Sequence, residues 1–223
     1  MKKLFLIANW KSNKTLQEAE KWLHDFQEKL TSENLDLSYK EIIICPSFTS
    51  LEHVNYCCKN LNLPIQIGVQ NISPYETGAY TGEVNGVQIK ELANYVIIGH
   101  SERRDNFSED NKIIEKKVEM ANKHDVSAIF CIQNAQTPIP ENIKIVAYEP
   151  PTAIGTGNPD TPENAEEVAK NVKEKTGIET ILYGGSVTSK NINSFTKMPT
   201  INGALVGGAS LDPFEFLRIV KNA

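Results

Sequence analysis

Four polar residues stand just beyond short apolar runs. Asn9 and Lys11 follow residues 4–8, His100 follows residues 95–98, and Glu149 follows residues 143–148. A carboxylate can take a proton from carbon and an imidazole can hold or deliver one; an ammonium group offsets negative charge developing on oxygen. Two Gly-Gly pairs occupy equivalent places, in "YGGS" at 183–186 and "VGG" at 206–208. Backbone N–H groups in such turns suit a phosphate. The combination points to proton abstraction beside the carbonyl of a small phosphorylated molecule. Each residue alone also reads blandly: a surface lysine, a backbone-bonded histidine, a rim carboxylate, a tight turn. What gives the set meaning is a scaffold that brings all of them to one rim.

Such a scaffold is legible. Eight β-rich runs recur, at Leu4 to Ala8, Ile42 to Cys45, Ile65 to Val69, Tyr95 to Ile98, Ser127 to Ile132, Ile143 to Tyr148, Thr180 to Tyr183 and Gly203 to Val206. They are mostly apolar throughout, as expected of parallel strands buried on both faces. Amphipathic stretches lie between most of them and carry start signals: Thr15 with Glu18, Thr161 with Pro162, and Asp212 with Pro213 and Glu215. This α/β order predicts one closed (β/α)8 barrel over residues 1–223, with its site at the C-terminal strand ends. An open doubly wound sheet would carry a glycine-rich turn after its first strand, where this chain has "NWKSNKT". Only residues 133–142, with two prolines, separate the fifth run from the sixth. A parallel crossover usually needs a dozen residues and a helix, so the fifth helix is expected to be missing or vestigial.

Composition narrows the function classes. The 223 residues are 40% apolar and 23% charged with net charge −5, and lysines alternate with glutamates. No basic patch invites nucleic acid or an anionic membrane. The apolar start stops at Asn9, short of a secretory segment, so a cytoplasmic protein is expected. Cys45, Cys57, Cys58 and Cys131 form no CxxC pair and the four histidines are scattered. The expectation is reduced thiols, no metal and no cofactor.

Seven segments in order, "ANWK" at 8–11, "GAYTGE" at 78–83, "GHSERR" at 99–104, "AYEP" at 147–150, "AIGTG" at 153–157, "YGGSV" at 183–187 and "LVGGASL" at 205–211, resemble the triosephosphate isomerase family nearly end to end. The resemblance implies a TIM-barrel fold and interconversion of dihydroxyacetone phosphate and glyceraldehyde 3-phosphate, in glycolysis and gluconeogenesis. By the same resemblance Glu149 is the base, His100 a neutral imidazole polarising the substrate oxygens, and Lys11 a nearby cation. Asn9 orients substrate, and Glu102 pairs with the lysine. Phosphate falls to the N–H groups of Gly155, Ser186, Gly207 and Gly208, under a lid at 154–157. Family members are usually homodimers, which implies that the loop holding Thr81 enters the neighbour's site and that Glu83 and Arg103 pair across the interface.

The chain departs from the family pattern at Pro151-Thr152, where Val-Trp is usual, at Asn158-Pro159-Asp160 in the second lid hinge, and at Gln133-Asn134, where Gly-Glu is usual. The alternatives are a non-catalytic barrel that binds phosphorylated metabolites and an aldolase. Lys11, His100 and Glu149 together are more than phosphate binding requires. A Schiff-base aldolase needs a strand-end lysine where the sixth run ends in glutamate.

Overall fold

The computed structural model describes residues 2–223. Eight strands, β1 (Leu4–Asn9), β2 (Lys40–Cys45), β3 (Ile65–Val69), β4 (Tyr95–Ile98), β5 (Ser127–Ile132), β6 (Ile145–Tyr148), β7 (Thr180–Tyr183) and β8 (Ile201–Val206), pair in sequence order into a closed parallel barrel. β8 closes on β1 through Phe5 beside Gly203 and Ala8 beside Val206.

The uniformly apolar strands serve two cores. Residues alternate faces along a strand. Ile7, Ile43, Cys45, Ile97, Ile129, Cys131, Ile145, Ala147, Leu182 and Leu205 fill the barrel interior. Their neighbours, such as Leu6, Ala8, Ile42, Ile44, Val146 and Ile181, pack outward against the helices. The parity matters for chemistry: Asn9 extends the inward series of Ile7, and Glu149 extends that of Ile145 and Ala147.

Helices α1 (Leu16–Glu33), α2 (Leu51–Asn60), α3 (Gly86–Lys90), α4 (Ser101–Phe107), α5 (Asn111–Lys123), α6 (Pro162–Thr176), α7 (Ile192–Thr196) and α8 (Pro213–Asn222) form the outer layer. The sequence start signals work as read. Thr15 and Glu18 form a reciprocal capping box on α1. Thr161 caps α6 ahead of Pro162, and Gly177 ends that helix at φ 74°. Asp212 accepts the Glu215 N–H at the start of α8. Such caps are each worth about 1 kcal/mol.

Two helices, α4 and α5, occupy the β4–β5 connection, while among the described residues none lies between β5 and β6. Residues 133–144 instead form turns, in which Thr137 Oγ1 accepts the N–H groups of Gln133 and Asn134. Strand limits differ from the sequence reading by up to two residues. β6 starts at Ile145, where pairing with Ile129 begins, and β2 and β8 start earlier because Lys40 and Ile201 already find partners on β1 and β7.

Candidate active site

The turn after β4 places the histidine. Gly99 adopts φ 75°, which reverses the chain so that His100 becomes the N-cap of α4. Its Nδ1 accepts the Glu102 N–H at 3.2 Å, leaving the ring proton on Nε2. That nitrogen lies 3.0 Å from Glu149 Oε1, while the Ser101 N–H donates to Glu149 Oε2 at 3.1 Å. Glu149 is only 2% exposed and His100 6%. A carboxylate so buried is costly unless hydrogen-bonded; the two contacts meet that need.

Burial works against a charged His100, but the charge and hydrogen bond of Glu149, aided by Glu102, outweigh it and raise the imidazole pKa above its ordinary value. Lys11 opposes this more weakly. The upward shift follows from the carboxylate facing the ring directly.

The turn after β1 presents the cation. Lys11 sits at φ 54°, a left-handed conformation costly for a lysine. Its N–H donates to Asn9 Oδ1 at 3.1 Å, and the Gln70 side-chain amide donates to the carbonyls of Lys11 and Cys45, both at 2.9 Å. The Lys11 ammonium is paired with Glu102.

The glycine turns stand beside these side chains: a Cβ at Gly207 would lie 3.2 Å from Lys11 Cε. Asn9, Lys11, His100, Glu149, Gly155, Ser186, Gly207 and Gly208 all line one cavity of about 240 Å³ at the C-terminal mouth of the barrel. This is below the ~300–1,000 Å³ of drug-sized pockets and suits a small metabolite. Close approach explains Gly184: a Cβ there would lie 2.8 Å from Glu149 Cγ and 3.2 Å from the Tyr148 carbonyl oxygen.

The remaining expected residues lie elsewhere. Glu102 touches the site only through Lys11 and His100. Thr81 and Glu83 sit on an exposed loop, and Arg103 pairs with Glu109 of its own chain at 2.6 Å.

The sequence reading missed several contributors. Gln70 follows β3 directly, so the strand-end logic that selected Asn9 and Glu149 would have found it. Ser101 acts through its backbone, which its residue type does not advertise. Cys131 lies inside the barrel beside Glu149; burial above all, then that carboxylate, pushes its thiol pKa far up.

Comparison with known proteins decides the family. The model described as triosephosphate isomerase matches residues 4–223. The triosephosphate isomerase of Mesomycoplasma hyopneumoniae strain 7448 is 39% identical over 249 aligned positions, covering 100% of both chains. The chain belongs to the triosephosphate isomerase family. The triosephosphate isomerases of Dictyoglomus turgidum, 39% identical over all of both chains, and Mycoplasmopsis pulmonis, 37% identical over 99% of this chain and 98% of its own, are further relatives.

Within this triosephosphate isomerase family member, residues 151–157 form a run of turns over the cavity mouth. The Gly157 N–H donates to Ser186 Oγ at 3.2 Å, and that hydroxyl donates to the Ala153 carbonyl. Farther along, the Asp160 N–H donates to Tyr183 Oη at 2.7 Å, and Tyr148 Oη donates to Asp160 Oδ2 at 3.2 Å. This segment is therefore tied to Ser186, in the turn after β7, at its tip and to Tyr183, at the end of β7, near Asp160. Pro151 and Thr152, the unusual first hinge, are exposed; only the Thr152 carbonyl is engaged, by the Thr156 hydroxyl at 3.1 Å.

Proposed function

We infer that this protein is an aldose–ketose isomerase that interconverts dihydroxyacetone phosphate and D-glyceraldehyde 3-phosphate, the activity its relatives are named for, in glycolysis and gluconeogenesis. One arrangement carries the reading: the Glu149 carboxylate held between the His100 Nε2 and the Ser101 N–H, at a cavity also lined by the glycine turns.

Glu149 takes a proton from one substrate carbon and returns it to the next, a general-base role worth about 10²–10⁴ in rate. The substrate carbonyl displaces Glu149 from His100 and accepts the Nε2 proton as a hydrogen bond. Lys11 offsets the charge of the enediolate, and one such contact is typically worth about 3–4 kcal/mol. Asn9 holds the Lys11 turn and meets the substrate. The phosphate is bound by the N–H groups of Gly155, Ser186, Gly207 and Gly208, and closure of 154–157 excludes water from the intermediate.

The whole chain, 1–223, acts as one catalytic barrel in a homodimer. Its exposed 77–83 loop, whose Tyr80 stacks on Tyr75 at 4.2 Å, supports a partner seated there, with Thr81 reaching the partner's site and Glu83 meeting Arg103 across the interface. All four cysteines are free and buried, which supports a reducing compartment such as the cytoplasm. No helix among the described residues is long and apolar enough to cross a membrane. The test is a coupled assay of purified protein without added metal. Turnover of glyceraldehyde 3-phosphate is expected; tight ligand binding without turnover would overturn the isomerase in favour of a metabolite sensor.

A further inference from the structure

Outside the barrel mouth, α1 and α2 bring three unlike donors together. His53 and Cys57 lie one turn apart on α2, and Glu20 faces them from α1. His53 Nε2 is 3.4 Å from Glu20 Oε2 and 3.5 Å from Cys57 Sγ, and the three donor atoms all lie within 4.8 Å of one another. Cys57 is buried, while the His53 and Glu20 side chains are 34% and 48% exposed. The cluster is thus anchored at its sulfur and open at its carboxylate.

The contacts His53 makes with Glu20 and Cys57 fall within hydrogen-bonding reach, but one ring nitrogen cannot serve both fully. A direct N–H···O contact spans ~2.7–3.2 Å, shorter than the His53–Glu20 separation. The same nitrogen also faces the sulfur, and one imidazole nitrogen can donate to the carboxylate or accept from the thiol, not both at once. A tetrahedral zinc ion, with bonds of ~2.0–2.3 Å, spaces its donors ~3.3–3.7 Å apart. The two His53 separations fall in that interval and the Glu20–Cys57 separation lies within 4.8 Å, and a thiolate, an imidazole and a carboxylate form a donor set zinc accepts.

We propose that Glu20, His53 and Cys57 form a zinc-binding site that clips α1 to α2, with water completing the tetrahedron. On binding, the Cys57 S–H bond breaks, a Zn–S bond forms, and the thiol proton passes to solvent. The sequence gives no warning of this: the i,i+4 pair of His53 and Cys57 is incomplete until Glu20 arrives from another helix. The site lies on the outer layer and takes no part in the proposed isomerisation; its consequence is stability, because an ion bound only by the folded state raises the melting temperature.

The experiment uses the full chain, reduced and stripped with chelator, titrated with Co²⁺ and then Zn²⁺. One Co²⁺ per chain is expected, with a thiolate-to-cobalt charge-transfer band and the intense d–d absorption of a tetrahedral centre, both bleached by Zn²⁺. Glu20→Gln and His53→Ala should each weaken Zn²⁺ binding by at least the ~100-fold that loss of an outer partner can cost. Both should also abolish the thermal shift while leaving isomerase turnover unchanged. Cys57→Ser should remove the charge-transfer band and Cys58→Ser should keep it. Absence of that band in the wild-type chain, its persistence in Cys57→Ser, or undiminished affinity in the partly exposed His53→Ala variant overturns the proposal.

Discussion

The two walls of the cavity are built on opposite principles. On the catalytic wall, Glu149 and His100 are buried and fixed by backbone N–H groups, and Lys11 is held in a costly conformation by Asn9 and Gln70. The lid that starts one residue beyond Pro150 is largely exposed and held down chiefly by Ser186 and Tyr183. Groups proposed to meet a reacting atom are over-determined; the segment proposed to let substrate pass is held by a few replaceable contacts. Pro150 alone separates Glu149 from this segment, so the proposed lid and the proposed base are coupled through one residue.

Breaking the rigid wall should cost most. Glu149→Gln removes the base and should lower kcat by about 10²–10⁴, measured in the coupled assay; near-normal turnover would remove Glu149 from the reaction. The same variant sharpens the electrostatics. Without the carboxylate, burial and Lys11 are opposed by Glu102 alone, so the His100 pKa, followed by NMR of the ring nitrogens, should fall relative to wild type. In the wild type, stabilisation from the raised His100 pKa is fully present below the ordinary histidine value and is lost as pH rises through the raised one.

Gly184→Ala tests position alone. The new Cβ must push Glu149, and a misplacement of that order costs up to about 10² in rate; kcat should fall with the carboxylate still present. Ser186→Ala cuts both lid-tip contacts, at about 0.5–1.5 kcal/mol each. A loss of about tenfold in kcat/KM is expected, from the lid rather than the base. Pro151→Ala should do least. Freeing φ at an exposed hinge destabilises the chain by about 0.4–1 kcal/mol, read as a small drop in thermal stability.

Much of this contrast could be read before any coordinates. Apolar runs with capped helices between them fixed the barrel, because strands buried on both faces leave that signature, and strand-end position picked out Asn9, His100 and Glu149. Side-chain type did not reveal Ser101, whose contribution is a backbone N–H, nor Tyr183, whose apolar setting looked like ordinary core. Nor could chain order show the Glu20 cluster, which exists only once two helices pack. The missing helix after β5 was visible because the segment is too short to hold one.

That short segment also bears on how the chain finds its shape. Residues 133–144 join β5 to β6, whereas 149–179 separate β6 from β7. Each doubling of a loop costs about 0.6 kcal/mol in closure entropy. Of these two pairings the first encloses the shorter stretch of chain and closes more cheaply.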